Sequence, residues 1–147
     1  MVGTREKMTI HGDLLRQLMR HWTTGVTIVT SIYNEQYLGM TVNSFTSLSI
    51  NLALISVTMA NITRTHRLVL NSGVLGVTIL SIDQQALADR FAGRIPEERD
   101  RFKAVEYFTS VTGAPLIVGG LAHLDCHVTQ TVILPESTLF IGEVLAG

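Results

Sequence analysis

Two rhythms of apolar and polar residues run along this chain. Leu14, Leu15, Leu18, Met19 and Trp22 recur at helical spacing, with Arg16, Gln17, Arg20 and His21 on the other side. The pattern predicts an amphipathic helix over 14–22, with Asp13 able to cap its start. Its apolar stripe fits packing on a sheet or contact with a second copy equally well. Residues 25–32 are β-branched and apolar and predict a strand; 33–36 form a turn, 37–42 a returning strand and 52–59 another buried strand. A short helix is expected over about 64–71, closed by Gly73 in the position that a left-handed cap prefers. Residues 74–80 again predict a strand. Ser81 and Gln84 form a possible capping box for a helix ending at Gly93. After the glycine-punctuated stretch 113–120 come two long strand-like runs, 121–133 and 138–144. Many strands with a few interspersed helices predict a mainly β fold, a closed or partly closed barrel with helical decorations.

Composition narrows the function classes. At 147 residues the chain fits one domain, over 1–147, that can bury a core without staples. No apolar run reaches the length of a membrane span. A net charge of −1 without a basic patch argues against nucleic acid as a partner. The single cysteine, Cys126, excludes an internal disulfide. The opening MVGTREKMTIHG has no apolar core of a signal peptide, so a cytoplasmic location is expected.

Candidate chemistry concentrates in GMTVNSFTSLS, residues 39–49. Its Ser, Thr and Asn side chains carry short neutral donors and acceptors that suit a flat polar heterocycle; a plain polar loop between strands is the alternative. Thr63, Arg64 and Thr65 open the helix expected at 64–71, where free N–H groups and the helix dipole favour an anion. Capping by Thr63, with Arg64 in solvent, explains the same residues.

In order along the chain, TTGVTIVTS (23–31), GMTVNSFTSLS (39–49), TRTHRLVLNSG (63–73), VTILSIDQQALADRFAG (77–93) and TLFIGEV (138–144) resemble the flavin reductase family. The resemblance spans roughly 15–144. It implies an FMN-binding split β-barrel of Greek-key type and an NAD(P)H-dependent flavin reductase. FMN, or alternatively FAD, would take a hydride from NADH or NADPH. Such a chemistry needs no catalytic side chain of its own, because the cofactor carries the difficult step. The family further implies a homodimer with flavin near the subunit interface, and reduced flavin passed to a partner monooxygenase or kept as a prosthetic group. Carried onto this sequence, Thr41, Val42, Asn43 and Ser44 would line the isoalloxazine edge and ribityl chain. Ser47 and Ser49, two apart in an extended segment, would extend that polar wall. Thr63, Arg64 and Thr65 would cradle the phosphate, and Phe91, Ala92 and Gly93 would permit close approach; Phe91 is otherwise an ordinary core residue.

The chain departs from the family pattern at several places. Asn51-Leu52-Ala53 stands for an Asp-Pro-Pro-like stretch, Thr78 for a common Asn, and Glu136-Ser137 for an Asp-His pair associated with the nicotinamide side. Relatives are also expected to continue beyond Gly147 through a segment that helps finish the barrel. A flavin-binding carrier without catalysis is the alternative function, and the same barrel with another ligand, such as haem, a third.

Other groupings have plainer accounts. His123, Asp125 and His127 alternate along an expected strand, as metal ligands or as a solvated face would, with Cys126 pointing inward. His66 adjoins the phosphate cradle but also fits a surface helix. RIPEERDRF, residues 94–102, reads as a flap over the flavin or as solvated surface.

Overall fold

The computed structural model describes residues 9–96 and 99–147. The first eight residues and Glu97-Glu98, which belong to the segment read as a flap, lie outside the described residues. The strands, in chain order, are β1 (Thr27–Tyr33), β2 (Gln36–Val42), β3 (Thr46–Ser49), β4 (Leu54–Ala60), β5 (Val74–Ile79), β6 (Tyr107–Phe108), β7 (Leu116–Ile117), β8 (Ala122–Ile133) and β9 (Ser137–Ala146). Seven of them form one antiparallel sheet in the order β2-β1-β5-β8-β9-β4-β3, and β6 pairs with β7. The helices are α1 (Gly12–Met19), α2 (Arg64–Ser72) and α3 (Gln85–Phe91).

The hydrogen-bonded ladder stays open between β2 and β3, so the barrel is split rather than closed. These two edge strands are consecutive in the chain and joined by the corner Asn43-Ser44-Phe45. Ser44 Oγ fixes the corner to β4, donating to the Thr58 carbonyl at 2.8 Å and accepting the Thr58 N–H at 3.0 Å. The open edge of β2 is instead covered: α3 packs beside it, and Arg101 bonds the Gly39 carbonyl at 3.1 Å. Covering an edge keeps a further strand from pairing with it. The stretch 46–49 is itself a strand rather than the plain polar loop of the alternative reading, because pairing with β4 captures its backbone.

β1 is buried on both faces, from Thr27 to Ser31. Val29 joins Val57, Leu75, Val77, Cys126 and Phe140 in the interior of the rolled sheet. Its neighbour Ile28 points the other way, into a cluster with Phe91, Phe102 and Ile117. The buried hydroxyls are paired: Thr27 donates to the Val42 carbonyl at 3.0 Å and Ser31 to that of Val74 at 2.7 Å. Asn34 and Glu35, both at positive φ, make the two-residue turn into β2.

α2 follows its sequence signals. Thr63 Oγ1 accepts the His66 N–H at 3.3 Å, and Gly73, at φ 68°, ends the helix. The run opened by Ser81 divides into a 3-10 turn, Ile82–Gln84, and then α3; Gln84 Oε1 accepts the Ser81 N–H at 3.0 Å. α1 differs from expectation in three ways. His11 rather than Asp13 caps it, Asp13 pairing with Arg16 at 2.7 Å in the first turn. It ends at Met19, short of Trp22, and none of its residues is buried. The stripe does not pack on the sheet, because periodicity sets which face is apolar and not what lies over it.

Candidate functional site

The outer edge of β2, the first turn of α2, the end of α3 and residues 99–102 enclose a cleft of about 650 Å³, within the range of about 300–1,000 Å³ usual for small-molecule sites. One wall is main chain. Since the Gly39 carbonyl turns away from β1 to meet Arg101, antiparallel alternation also turns the main-chain groups of Thr41 outward. Thr41 Oγ1 donates to the Ala88 carbonyl at 2.7 Å, which ties this edge to α3. Gly39 lets β2 approach closely here: a Cβ would lie 3.0 Å from the buried ring of Phe91 and 3.2 Å from Thr30 Cγ2.

The opposite wall carries charge and hydroxyls. Thr63 caps α2, Arg64 is exposed, and Thr65 is buried yet lines the cleft. The Thr65 hydroxyl has no hydrogen-bond partner among the described residues, and no side-chain polar atom there is both sealed from solvent and unpaired; the hydroxyl therefore opens onto the cleft. Arg101 reaches in from the segment after α3, its Nη1 donating to the carbonyls of Gly39 at 3.1 Å and Phe91 at 2.9 Å. Burial, and then the neighbouring Arg64 charge, push its pKa below the usual arginine value, although a guanidinium remains protonated.

Of the residues singled out from sequence, Thr41, Thr63, Arg64, Thr65, Phe91, Ala92 and Gly93 meet in this cleft. Five others lie outside its lining. Val42 is in the interior core, Asn43 is exposed at the corner, and Ser44 is engaged with Thr58. Ser47 is exposed on β3, and Ser49 Oγ donates to the Asn51 carbonyl at 3.2 Å. A register shift between Ser47 and Ser49 breaks the regular alternation expected to align them. Sequence reasoning reached Arg101 only within 94–102, read as a flap over the flavin or as solvated surface, and did not single it out. It stands in a charge-rich run, and its partner Gly39 is 62 positions away.

His66 is buried on the inner side of α2 rather than on a surface. Asn61 Nδ2 donates to the Leu134 carbonyl at 3.1 Å, so its Oδ1 faces Thr138 and accepts that hydroxyl's proton at 2.6 Å. His66 Nε2, 2.8 Å from the Thr138 oxygen, must therefore be the N–H donor. Burial, and then the Arg67 charge, hold the imidazole pKa below its ordinary value. The chain His66–Thr138–Asn61 joins the first turn of α2 to the β8–β9 hairpin, which the Leu134 N–H closes on the Ser137 carbonyl at 2.8 Å. Thr78 is a buried strut whose Oγ1 accepts the Ile117 N–H at 2.9 Å.

His123, Asp125 and His127 do not converge. His123 Nε2 donates to the Ile117 carbonyl at 2.7 Å, both oxygens of the buried Asp125 are taken by Thr112, and His127 is exposed. Among the described residues no His, Cys, Asp or Glu grouping is arranged to hold a metal. Cys126 is buried, as expected, and burial pushes its thiol pKa up to about 12. No helix among the described residues is long and apolar enough to cross a membrane.

The sequence profile of the flavin reductase like domain matches residues 19–147. The chain belongs to the flavin reductase-like family. It is 33% identical over 135 residues to an NADH-dependent FAD reductase of Streptomyces globisporus, covering 90% of this chain and 74% of that one. It is 32% identical to the reductase subunit HsaB of a flavin-dependent monooxygenase of Rhodococcus jostii, over 76% of this chain and 55% of that protein. The structure of the Streptomyces globisporus C-1027 NADH:FAD oxidoreductase SgcE6 in complex with NAD and FAD fragments superposes with a TM-score of 0.82 at 32% identity, over 90% of this chain and 78% of that one. Family membership accords with the split, open ladder seen here.

Proposed function

We propose that this flavin reductase-like protein is an NAD(P)H-dependent flavin reductase, that its single domain binds FMN, or alternatively FAD, in the 650 Å³ cleft, and that it acts as a homodimer supplying reduced flavin to an oxygenase. The observation that carries this reading is the composition of the cleft: an outward main-chain edge at Gly39 and Thr41 faces a helix start with Arg64 and the open hydroxyl of Thr65. The edge suits the polar rim of a flat heterocycle, and the helix start suits a phosphate. Bound flavin supplies the acceptor for a hydride from nicotinamide. The protein's share is to bind and orient. β2 presents main-chain donors to the ring, Phe91 backs the wall beneath Gly39, and Thr63 holds the first turn of α2 in register for the anion. The named relatives, an NADH-dependent FAD reductase and a monooxygenase reductase subunit, support the same assignment.

An anaerobic titration of the FMN-loaded protein with NADH, followed by the flavin's visible absorbance, tests it. Bleaching faster than that of free FMN is the expected result. A yellow complex that neither NADH nor NADPH bleaches would instead identify a flavin carrier. The site assignment has its own check: Thr63→Val combined with Thr65→Val is expected to weaken FMN binding while the far-ultraviolet circular dichroism stays unchanged.

A further inference from the structure

His66 is a buried titratable group that lines no part of the cleft, yet it is next in the chain to Thr65, which does. It stands in the first turn of α2, and its main-chain N–H is the one that Thr63 caps. Its Nε2 is committed as donor to Thr138, so Nδ1 is the nitrogen left with a lone pair. Nδ1 has no hydrogen-bond partner among the described residues, and no side-chain polar atom there is both sealed and unpaired, so Nδ1 meets solvent. A proton can reach it while the bonds from His66 to Thr138 and from Thr138 to Asn61 stay intact. The neighbouring charges on α2 are of one sign. Arg64 and Arg67 flank the imidazole, the first turn has no acidic residue, and the helix dipole also disfavours a cation there. β1, β2 and β4 bring no acidic or basic side chain; their only titratable groups are the phenols of Tyr33 and Tyr37. β9 carries Glu143 at its far end, opposite Leu54, whereas Thr138 lies opposite Met59. Glu136, just before β9, is exposed. Cys126 lies in the core with Val69 of α2, and His127 is beside Gly73 at the other end of the helix. Burial, and then the Arg67 charge, disfavour a proton on the imidazole of the free protein.

We infer that His66 is a proton site linked to the cleft: an anion settling at the start of α2 draws a proton onto Nδ1, and that proton in turn tightens the anion. The inference rests on the proposed flavin site, whose phosphate is the anion, and adds a pH-dependent grip to it. The physical cause is the local field. A phosphate carries about −1.5 to −2 charges near neutral pH. It offsets Arg64 and the positive end of the helix, and so removes the repulsion that keeps a second cation off the first turn. The proton comes from solvent and sits on the open lone pair, so no bond in the protein breaks. Riboflavin has the same ring and ribityl chain without the charge, and leaves the imidazole as it is. Acidic pH then favours retention of FMN, and neutral pH its release.

Proton NMR of the histidine Cε1–H groups between about pH 5 and about pH 8 tests the linkage, with His66→Gln identifying the His66 resonance. The expected titration midpoint is about 0.5 pH unit or more higher in the FMN-saturated protein than in the free one, and within about 0.2 pH unit of the free value with riboflavin. An unmoved midpoint with FMN would overturn the linkage. An equal rise with riboflavin would overturn it too, since the cause would then be closure over the ring and not charge. Affinity gives the reciprocal measurement. Glutamine can still donate an N–H to Thr138 but takes no proton. The ratio of FMN affinities, wild type over His66→Gln, should therefore rise about threefold or more from about pH 7.5 to about pH 5.5. The phosphate's own titration, near about pH 6, is common to both proteins and cancels in the ratio. A ratio that stays constant would refute the linkage. Should the glutamine variant not fold, nuclear Overhauser contacts to the Phe140 ring, whose centroid lies 5.5 Å from that of His66, identify the resonance and the wild-type midpoint decides. A wild-type protein that binds no FMN at any pH would remove the flavin site and this inference together.

Discussion

α1 and α2 are both short amphipathic helices with a side-chain cap at the start, yet the fold treats them in opposite ways. α2 buries Thr65, His66, Leu68 and Val69 and ends at Gly73 in the left-handed region. α1 buries nothing, and Leu14, Leu15, Leu18 and Met19 along it are about half exposed. The difference teaches that an apolar stripe reports what a helix could bury, while burial itself depends on another element arriving over it. For α2, β1 and β2 arrive. For α1, no part of the described chain does, which is what a contact with a second copy would require of it.

The contrast predicts unequal mutational costs. Leu68→Ala is expected to destabilise by about 2–4 kcal/mol in urea denaturation, whereas Leu18→Ala should change stability by less than about 0.5 kcal/mol. A large loss at Leu18 that shrinks as protein concentration rises would break the contrast and place α1 in a subunit interface. Gly73→Ala should cost about 1–2 kcal/mol, because its φ of 68° is strained for any side chain with a Cβ; Gly12→Ala at the start of α1, with open space around it, should not. Thr63→Ala should cost about 1 kcal/mol through the lost cap, against a few tenths for His11→Ala, whose bond to the Asp13 N–H is a weak 3.5 Å.

The smallest effect concerns pH and again separates the helices. His66 is held neutral by burial, with its pKa lowered from the usual 6.5. The unfolded chain then takes up a proton at a higher pH than the folded one. Stability should therefore be flat above about pH 7 and decline as pH falls through 6.5 toward the lowered folded value. His66→Gln should remove that part of the slope in thermal melts across pH 5 to 7, while Leu18→Ala in α1 should leave it.

Much of the site was legible. The cap at Thr63, the anion-favouring start of α2 and the αL glycine at 73 all belong to one helix and its two ends, and the structure keeps them as read. Thr41 lines the cleft as expected, with its hydroxyl spent on the Ala88 carbonyl. Ser47 and Ser49 looked like one wall because strict alternation was assumed, and a bulge removes it. Asp125 looked solvated because its neighbours alternate in polarity; it is buried because Thr112, 13 residues upstream, folds back onto it.

By itself, the sequence determined where strands and helices form, which glycine and threonine end them, and that the chain is of the flavin reductase type. Tertiary structure alone decided that the barrel stays open at β2, that no other described element covers α1, and that Arg101 reaches Gly39 across 62 residues of chain. The division has a physical basis. Caps, turns and periodicity are satisfied by atoms a few positions away, whereas edge covering, burial of charge and convergence on a cleft depend on segments that meet only once the sheet has rolled up.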